Sequence, residues 1–412
     1  MKAMVIGISP EYNYPNDIRK WVKDNTYYAS NHGGSLIVRA IIKEFGADYI
    51  IDFSDISSLK NKYDTCILGL ATHAHRNRDI SKYVDFLLKL DIKIIIVSLG
   101  IEDYLKNPTE VYKFHPSVNK LLQIASSSSS WIGVRGPYTA SIVQQNGFKN
   151  VVPVGCPTMY WNLSPEFRIN TKQQYTNPLV VYHKSIAQYH YSLIKDLPLL
   201  GQDYLDEIIF TNNQEHDIHA INQERRSYDQ IENKENILQQ VATKGVFTRN
   251  FDEWFSTISK HDFVFGPRLH GCIGALIQGI PSVFLCRDLR VKEIVEMYKL
   301  PHFTYDELKH LTITDIYNRA QYEPFLQTYK YRYKNYLSFI KENNLESRLS
   351  DIEQVSFNYQ TSDIQTMNYL YNIQINTLKQ YTPEYMKEMR QEKRKIVILK
   401  LKRLIKKLLF IK

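Results

Sequence analysis

Short runs that are apolar at every position recur along this chain, and between them lie stretches with helical spacing. Such a run has no face to offer water, so it suits a strand of a parallel sheet covered by helices on both sides. Parallel neighbours need a crossover, and a helix of about ten residues supplies it. In the first half the runs are Met4–Ile8, Tyr49–Ile51, Thr65–Gly69, Ile94–Val97, Trp131–Arg135 and Val151–Gly155. Helical patterns stand at Ser35–Phe45 and at Pro137–Asn146, the latter closed by Gly147. The alternation restarts at Leu179–Tyr182 and continues through Glu207–Phe210, Gly245–Phe247, Phe263–Phe265 and Val283–Leu285. A chain of 412 residues exceeds one hydrophobic core. The expected fold class is therefore α/β, with two Rossmann-like doubly wound domains facing a cleft, residues 1–165 and 178–310. The polar stretch Ser164–Asn177 reads as the linker between them. From residue 311 to 386 strand runs cease, and a helical, tyrosine-rich extension is expected. Thirty tyrosines leave two readings open, a compositional bias or aromatic binding surfaces.

The formal charge of +9 is concentrated at one end. Residues 387–412 hold eleven Lys or Arg against two Glu, whereas residues 1–386 hold 41 basic and 41 acidic side chains. A neutral body excludes the diffuse basic surface of a nucleic-acid binder. Cys66, Cys156, Cys272 and Cys286 show no CxxC spacing and read as buried, reduced thiols. His73 and His75 with Asp79 could suggest a metal, but an HxH pair with one carboxylate and no cysteine is more often loop chemistry. No metal is expected. Neither GxGxxG nor a P-loop occurs, so no nucleotide cofactor is expected either. The N-terminal apolar run is too short for a signal peptide, and no eighteen-residue apolar stretch exists to span a bilayer.

In open α/β sheets, polar residues just past a buried strand face the ligand crevice. The segment DFVFGPRLHGCIGALIQGIPSVFL places Arg268 and His270 there, after Phe263–Phe265, and Arg135 holds the equivalent place after Ile132–Val134. Two arginines from facing domains make a clamp for a small, multiply charged anion, since guanidinium offers fixed parallel donors. Gly271 opens a helix whose free N–H groups favour the same anion. His270, beside Arg268, is a candidate acid or base. Asn31, Gly33 and Gly34 open a helix where backbone can approach a ligand closely. His183 and Lys184 place cations at another strand tip, and Asp288, Arg290 and Glu293 follow the last strand. The last three could equally be cap and surface pairs.

Taken together, NHGG near the start, GVRGPYTASIVQQNG followed by VVPVGCPTMYW, FGPRLHGCIGALIQGIPSVFL and DLRVKEIVEMYKLP resemble the polysaccharide pyruvyl transferase family. They stand in family order over roughly residues 28 to 302, and the RLHG block is the most specific. The resemblance implies a GT-B-like pair of Rossmann-like domains, with the first on the acceptor side and the second on the donor side. It implies transfer of a pyruvyl group from phosphoenolpyruvate, a substrate and not a cofactor, to two hydroxyls of a cell-surface glycan, closing a cyclic ketal. Arg135 and Arg268 would hold the donor's phosphate and carboxylate, and His270 would move the proton. Many members carry Gly-Asp-Pro where this chain has Gly155-Cys156-Pro157, and an acidic residue often follows the glycines of the first motif. The strongest competing reading is a GT-B-like glycosyltransferase that uses a nucleotide sugar, and a third is a non-catalytic binding or scaffold protein with a degraded site, against which intact Arg135, Arg268 and His270 argue.

The tail RQEKRKIVILKLKRLIKKLLFIK has its own logic. At about 100° per residue, Val397, Leu401, Leu404, Ile405, Leu408 and Leu409 share one helix face, and Lys395, Lys402, Arg403, Lys406 and Lys407 cover much of the other. A basic amphipathic helix of this kind suits the interface of an anionic membrane; the alternative is a terminal helix packed on the body with its cations solvated. The sequence thus points to a cytoplasmic protein held at the inner face of the cell membrane, with a free or lipid-linked glycan as acceptor.

Overall fold

The computed structural model describes residues 1–10, 31–50, 54–101, 111–203, 206, 209–210, 222, 224–229, 231–248 and 250–351. In the first half, strands β1 (Ala3–Ile6), β2 (Asp48–Tyr49), β3 (Thr65–Leu68) and β4 (Lys93–Ile96) form a sheet in the order β2-β1-β3-β4. β5 (Ile132–Val134) and β6 (Val151–Pro153) pair with each other, and Leu99, just past β4, bridges in parallel to Val134. The second half holds β7 (Pro178–Val181), β8 (Leu199–Leu200), β9 (Gly245–Val246), β10 (Phe263–Gly266), β11 (Ser282–Leu285) and β12 (His302–Phe303), in the order β12-β11-β10-β7-β8-β9. Among the described residues every pairing between these strands is parallel, so the fold is α/β with parallel sheets. Leu179 to Val181, Phe263 to Phe265 and Val283 to Leu285 are buried, as their unbroken apolar runs require.

The strand orders locate the switch points. In the second sheet the chain leaves β7 toward β8 and β9, then returns to the other side of β7 as β10. Ligands of open α/β sheets bind where the order reverses in this way, at the carboxyl ends of the strands. Residues 182–184 and 268–270 stand at that place. In the first sheet the reversal falls between β1 and β3, and α1 (His32–Phe45) follows β1. The further helices of this half are α2 (Ile56–Lys62), α3 (Ser81–Leu90), α4 (Pro116–Ser128) and α5 (Pro137–Gln145). Those of the second half are α6 (Lys184–Ile194), α7 (Lys234–Lys244), α8 (Phe251–Ser259), α9 (Leu269–Leu276) and α10 (Leu289–Tyr298).

Two expectations are corrected. Ile209 and Phe210 are helical, and the strand of that region is the two-residue Leu199–Leu200, whose apolar run is too short to stand out beside Pro198. The stretch expected as a linker is packed in part, with Phe167 buried against Phe325 and Tyr329 and Asn170 N–H donating to the Gly279 carbonyl.

Past β12 the chain forms α11 (Ile313–Arg319) and α12 (Glu323–Glu342). Tyr329, Tyr333 and Tyr336 of α12 are buried, and Tyr336 stacks on Tyr160 at 4.1 Å. The Tyr160 hydroxyl donates to the Val154 carbonyl and receives a bond from the Tyr298 hydroxyl. These tyrosines are core that fastens α10 and α12 to the end of β6. One unit comprises residues 1–104 and 113–357. The other, 105–112 with 358–412, falls almost wholly outside the described residues, and so do the basic tail and the end of the expected helical extension. Among the described residues no helix is long and apolar enough to cross a membrane.

Candidate active site

His270 lies in the first turn of α9, where β10 ends at the switch point of its sheet. Its Nε2 is 3.4 Å from Arg135 Nη2, a donor carried at the end of β5. The same Nε2 is 3.6 Å from Cys156 Sγ, carried just past β6. A side chain of the second sheet is thus held by two from the first half. Burial, then the charges of Arg135 and Arg290, hold the ring well below the usual histidine range, so it is neutral. Gly33 makes this approach possible, because a Cβ there would stand 2.8 Å from His270 Cβ. The NHGG glycine was expected to admit a ligand; in the structure Gly33 lies against His270 and Gln202.

Arg135 is 3% exposed, its Nε has no hydrogen-bond partner, and it makes no ion pair among the described residues. Its backbone is fixed by an N–H bond to the Leu99 carbonyl. The acid whose field reaches it, Glu293, is used elsewhere: Oε1 accepts from Thr139 N–H at 2.7 Å and Oε2 from the Thr139 hydroxyl at 3.0 Å. Glu293 therefore caps the start of α5, whose N-cap Gly136 has no side chain to do so. Burial pushes the Glu293 carboxyl up to about 7.

Arg268 differs from the expected half of an open clamp. Its Nη1 pairs with Asp203 at 2.7 Å, its Nη2 with Asp206 at 2.8 Å, and its Nε donates to the Tyr182 carbonyl. The fork is occupied by protein, and its charge is largely cancelled. Asp206, fully buried, is pushed up to about 7 by that burial against the pull of Arg268. A guanidinium drawn away from water is stabilised by carboxylate partners, and here the loop after β8 supplies two.

Other expected residues serve as caps. Asn31 Oδ1 accepts from Gly33 N–H and from Gln202 Nε2, which docks the start of α1 on the loop after β8. His183 caps α6 through Nδ1, and burial followed by Arg268, Arg287 and Lys184 keeps its ring neutral. Asp288 caps α10 and pairs with Arg287 and Arg290, which hold it well below the usual carboxylate range despite its burial. Lys184 points to Glu224 at 3.4 Å. Gly34 and Gly271 lie against protein, where a Cβ would meet Ile8 at 2.1 Å and Val181 at 2.6 Å. His73 is partly buried, and its withdrawal from solvent lowers its ring to about 4. Among the described residues no three His, Cys, Asp or Glu side chains group as a metal site.

The sequence reading missed Asp203, Asp206 and Gln202, and it dismissed Cys156 as a buried thiol. The first three follow Leu199–Leu200 directly, and the strand-end rule that found Arg268 would have found them had that strand been seen. Cys156 offered no local signal. Gly155, at φ 83°, turns the chain after β6 and packs so closely on Tyr298 that a Cβ would stand 2.0 Å from its hydroxyl.

In class the chain is an α/β protein of parallel sheets whose strand ends bring together a neutral histidine, a buried arginine and a thiol. It belongs to the polysaccharide pyruvyl transferase family, a family of transferases, whose model matches residues 8–287. No curated protein matches the chain in sequence. Among solved structures it is similar to Methanocaldococcus jannaschii UDP-GlcNAc 2-epimerase in complex with UDP-GlcNAc and UDP, at 9% identity and a TM-score of 0.35, covering 90% of this chain and 99% of that one. S. aureus MnaA with UDP gives 11% identity and a TM-score of 0.36, covering 91% and 98%. A variant of the wall teichoic acid polymerase TagF gives 11% identity and 0.31, covering 92% and 89%.

Proposed function

We propose that this protein moves a pyruvyl group from phosphoenolpyruvate to two hydroxyls of a sugar in a cell-surface polysaccharide or its lipid-linked precursor, closing a cyclic ketal. Family membership supports pyruvylation of a polysaccharide. The observation that carries the rest is the contact of His270 with Arg135, a buried guanidinium with no carboxylate partner among the described residues. A guanidinium without an internal counter-ion suits an anion brought by the substrate, and the donor carries both phosphate and carboxylate. Protonation of its methylene carbon makes an oxocarbenium-like centre at C2. One hydroxyl attacks there, phosphate leaves, and the second hydroxyl closes the ring. His270 is the group placed to move the first proton, and Arg135 stabilises the charge gathering on the departing phosphate. Arg268, with its aspartates, holds the switch-point loop in which His270 stands.

The basic tail fits a membrane-borne acceptor. Each Lys or Arg near an anionic surface contributes roughly 1 kcal/mol of attraction, which supports docking of residues 387–412 at the inner face of the cell membrane. The full chain should then sediment with anionic liposomes in low salt, and a chain ending at Tyr385 should stay in the supernatant. The reaction is tested by incubating the full chain with phosphoenolpyruvate and candidate glycan or lipid-linked glycan acceptors, scoring phosphate release and the gain of one pyruvyl ketal by mass. Consumption of a nucleotide sugar in place of phosphoenolpyruvate would overturn the assignment.

A further inference from the structure

α5 begins directly after Arg135, and its start lacks the acceptor that a helix needs. Pro137 has no N–H, but Tyr138 and Thr139 each present one with no partner inside the helix. An N-cap side chain ordinarily accepts such groups, and here the N-cap is Gly136. The acceptor comes instead from α10, 154 residues on, where Glu293 Oε1 takes the Thr139 N–H at 2.7 Å and Oε2 the Thr139 hydroxyl at 3.0 Å. The Tyr138 N–H also bonds to this carboxylate. Gly136 leaves room for it, since a Cβ there would stand 2.3 Å from Glu293 Cγ. The Gly136 backbone is extended, at φ −168°, so the local cap is missing for want of space and not of backbone freedom.

What this remote cap holds is Arg135. The Arg135 N–H donates to the Leu99 carbonyl, and the side chain runs along Gly100, where a Cβ would meet Cδ at 2.8 Å. Among the described residues the guanidinium has one hydrogen-bond contact, His270 Nε2 at 3.4 Å. Its place is therefore set from the backbone side, by β5 before it and by the capped turn after it. A local cap would steady α5 alone. Glu293 ties the same turn to α10, the helix that follows β11 of the second sheet. Arg290, one turn earlier on α10, brings its charge to His270. One helix thus braces both members of the Arg135–His270 contact.

We propose that Glu293 is a positioning residue for Arg135, fixing the turn after it to α10 and so holding the guanidinium at His270 before an anion arrives. The inference rests on the pyruvyl-transfer reading. Glu293 itself meets no substrate, because both carboxylate oxygens are engaged and the residue is 2% exposed. Its effect on the reaction runs through Arg135. A donor that stabilises departing phosphate must stand within hydrogen-bond reach of it, and a misplacement of about 1 Å costs about a hundredfold in rate.

The test uses the full chain and separates the cap from the tie. Glu293→Ala should lower kcat with phosphoenolpyruvate by about tenfold to a hundredfold, and the melting midpoint with it. Combining Glu293→Ala with Gly136→Ser exchanges the remote cap for a local one, in the space that the carboxyl side chain leaves. The double variant should regain the melting midpoint while kcat stays low. Recovery of both would make Glu293 a stabilising cap only and overturns the proposal. In an Arg135→Ala chain, adding Glu293→Ala should lower kcat by less than about twofold more, because the residue through which it acts is gone. Losses that multiply also overturn it. Crystal structures of the wild-type chain and the Glu293→Ala, Gly136→Ser double variant read the positioning without turnover. The Arg135 guanidinium should leave His270 by about 1 Å or more, and an unmoved guanidinium overturns the proposal. A wild-type chain that leaves phosphoenolpyruvate untouched, while the double variant displaces Arg135, would sink the functional reading alone.

Discussion

Arg135 and Arg268 end equivalent strands, β5 and β10, in two parallel sheets, yet they meet different neighbours. Arg268 is held by Asp203, Asp206 and the Tyr182 carbonyl, so its charge is balanced inside the protein. Arg135 is more deeply buried, but it leans on a neutral histidine and keeps a nitrogen without a partner among the described residues. A cation held by its counter-ions is explained by structure alone, whereas one without them among the described residues suits the anion site proposed above. The same residue type at the same kind of position therefore meets two environments, and the proposed roles follow from the neighbours.

The largest expected effect falls on the residue between them. His270→Ala should lower kcat by about a hundredfold to ten-thousandfold while the fold survives. Near-wild-type turnover in a well-folded variant would remove it from the mechanism. Next, Arg268→Ala removes the cation facing the buried Asp206 and should cost about 3–5 kcal/mol in denaturant unfolding. Adding Asp206→Asn should recover part of that stability. If Arg268→Ala unfolds at the wild-type midpoint, the contrast between the arginines fails.

Arg135→Ala should show the converse, with a loss of about a hundredfold to a thousandfold in kcat and a stability change of about 1 kcal/mol. Arg135→Lys should not rescue it, because a point charge cannot reproduce a planar fork. Equal affinity of the lysine variant for phosphoenolpyruvate would refute the anion role. Acid should weaken the first half through His32. This ring is buried against Trp254, donates from Nε2 to the Thr248 carbonyl, and has its pKa lowered to about 4, chiefly by burial. Its folded value lies below the unfolded one of about 6.5, so the unfolded chain binds the extra proton. Stability is then full above about pH 6.5 and falls by about 3 kcal/mol per such histidine as pH drops to 4. A melting midpoint that is flat from pH 7 to 4.5 would contradict this. The smallest effect is expected at Lys184, whose partly exposed pair with Glu224 contributes about 1 kcal/mol or less. A tenfold fall in kcat/KM for Lys184→Ala would return it to the site.

The chain's own order fixed the α/β class, the strand-end positions of Arg135, Arg268 and His270, and the family. Each rests on local signals, since burial on both faces forces an unbroken apolar run and a polar residue right after it stands out. The caps were ambiguous for the same local reason: Asn31, His183 and Asp288 read alike as ligands or as acceptors for helix N–H groups. Tertiary structure decided what no local pattern carries. It hid a strand in two leucines and so brought two aspartates to Arg268, left Arg135 without a counter-ion among the described residues, and gave Gly33 to the histidine. It also set Cys156 against His270, 114 residues away. Partners so distant are chosen by packing, and packing energies depend on shape and burial in three dimensions, which a one-dimensional pattern does not encode.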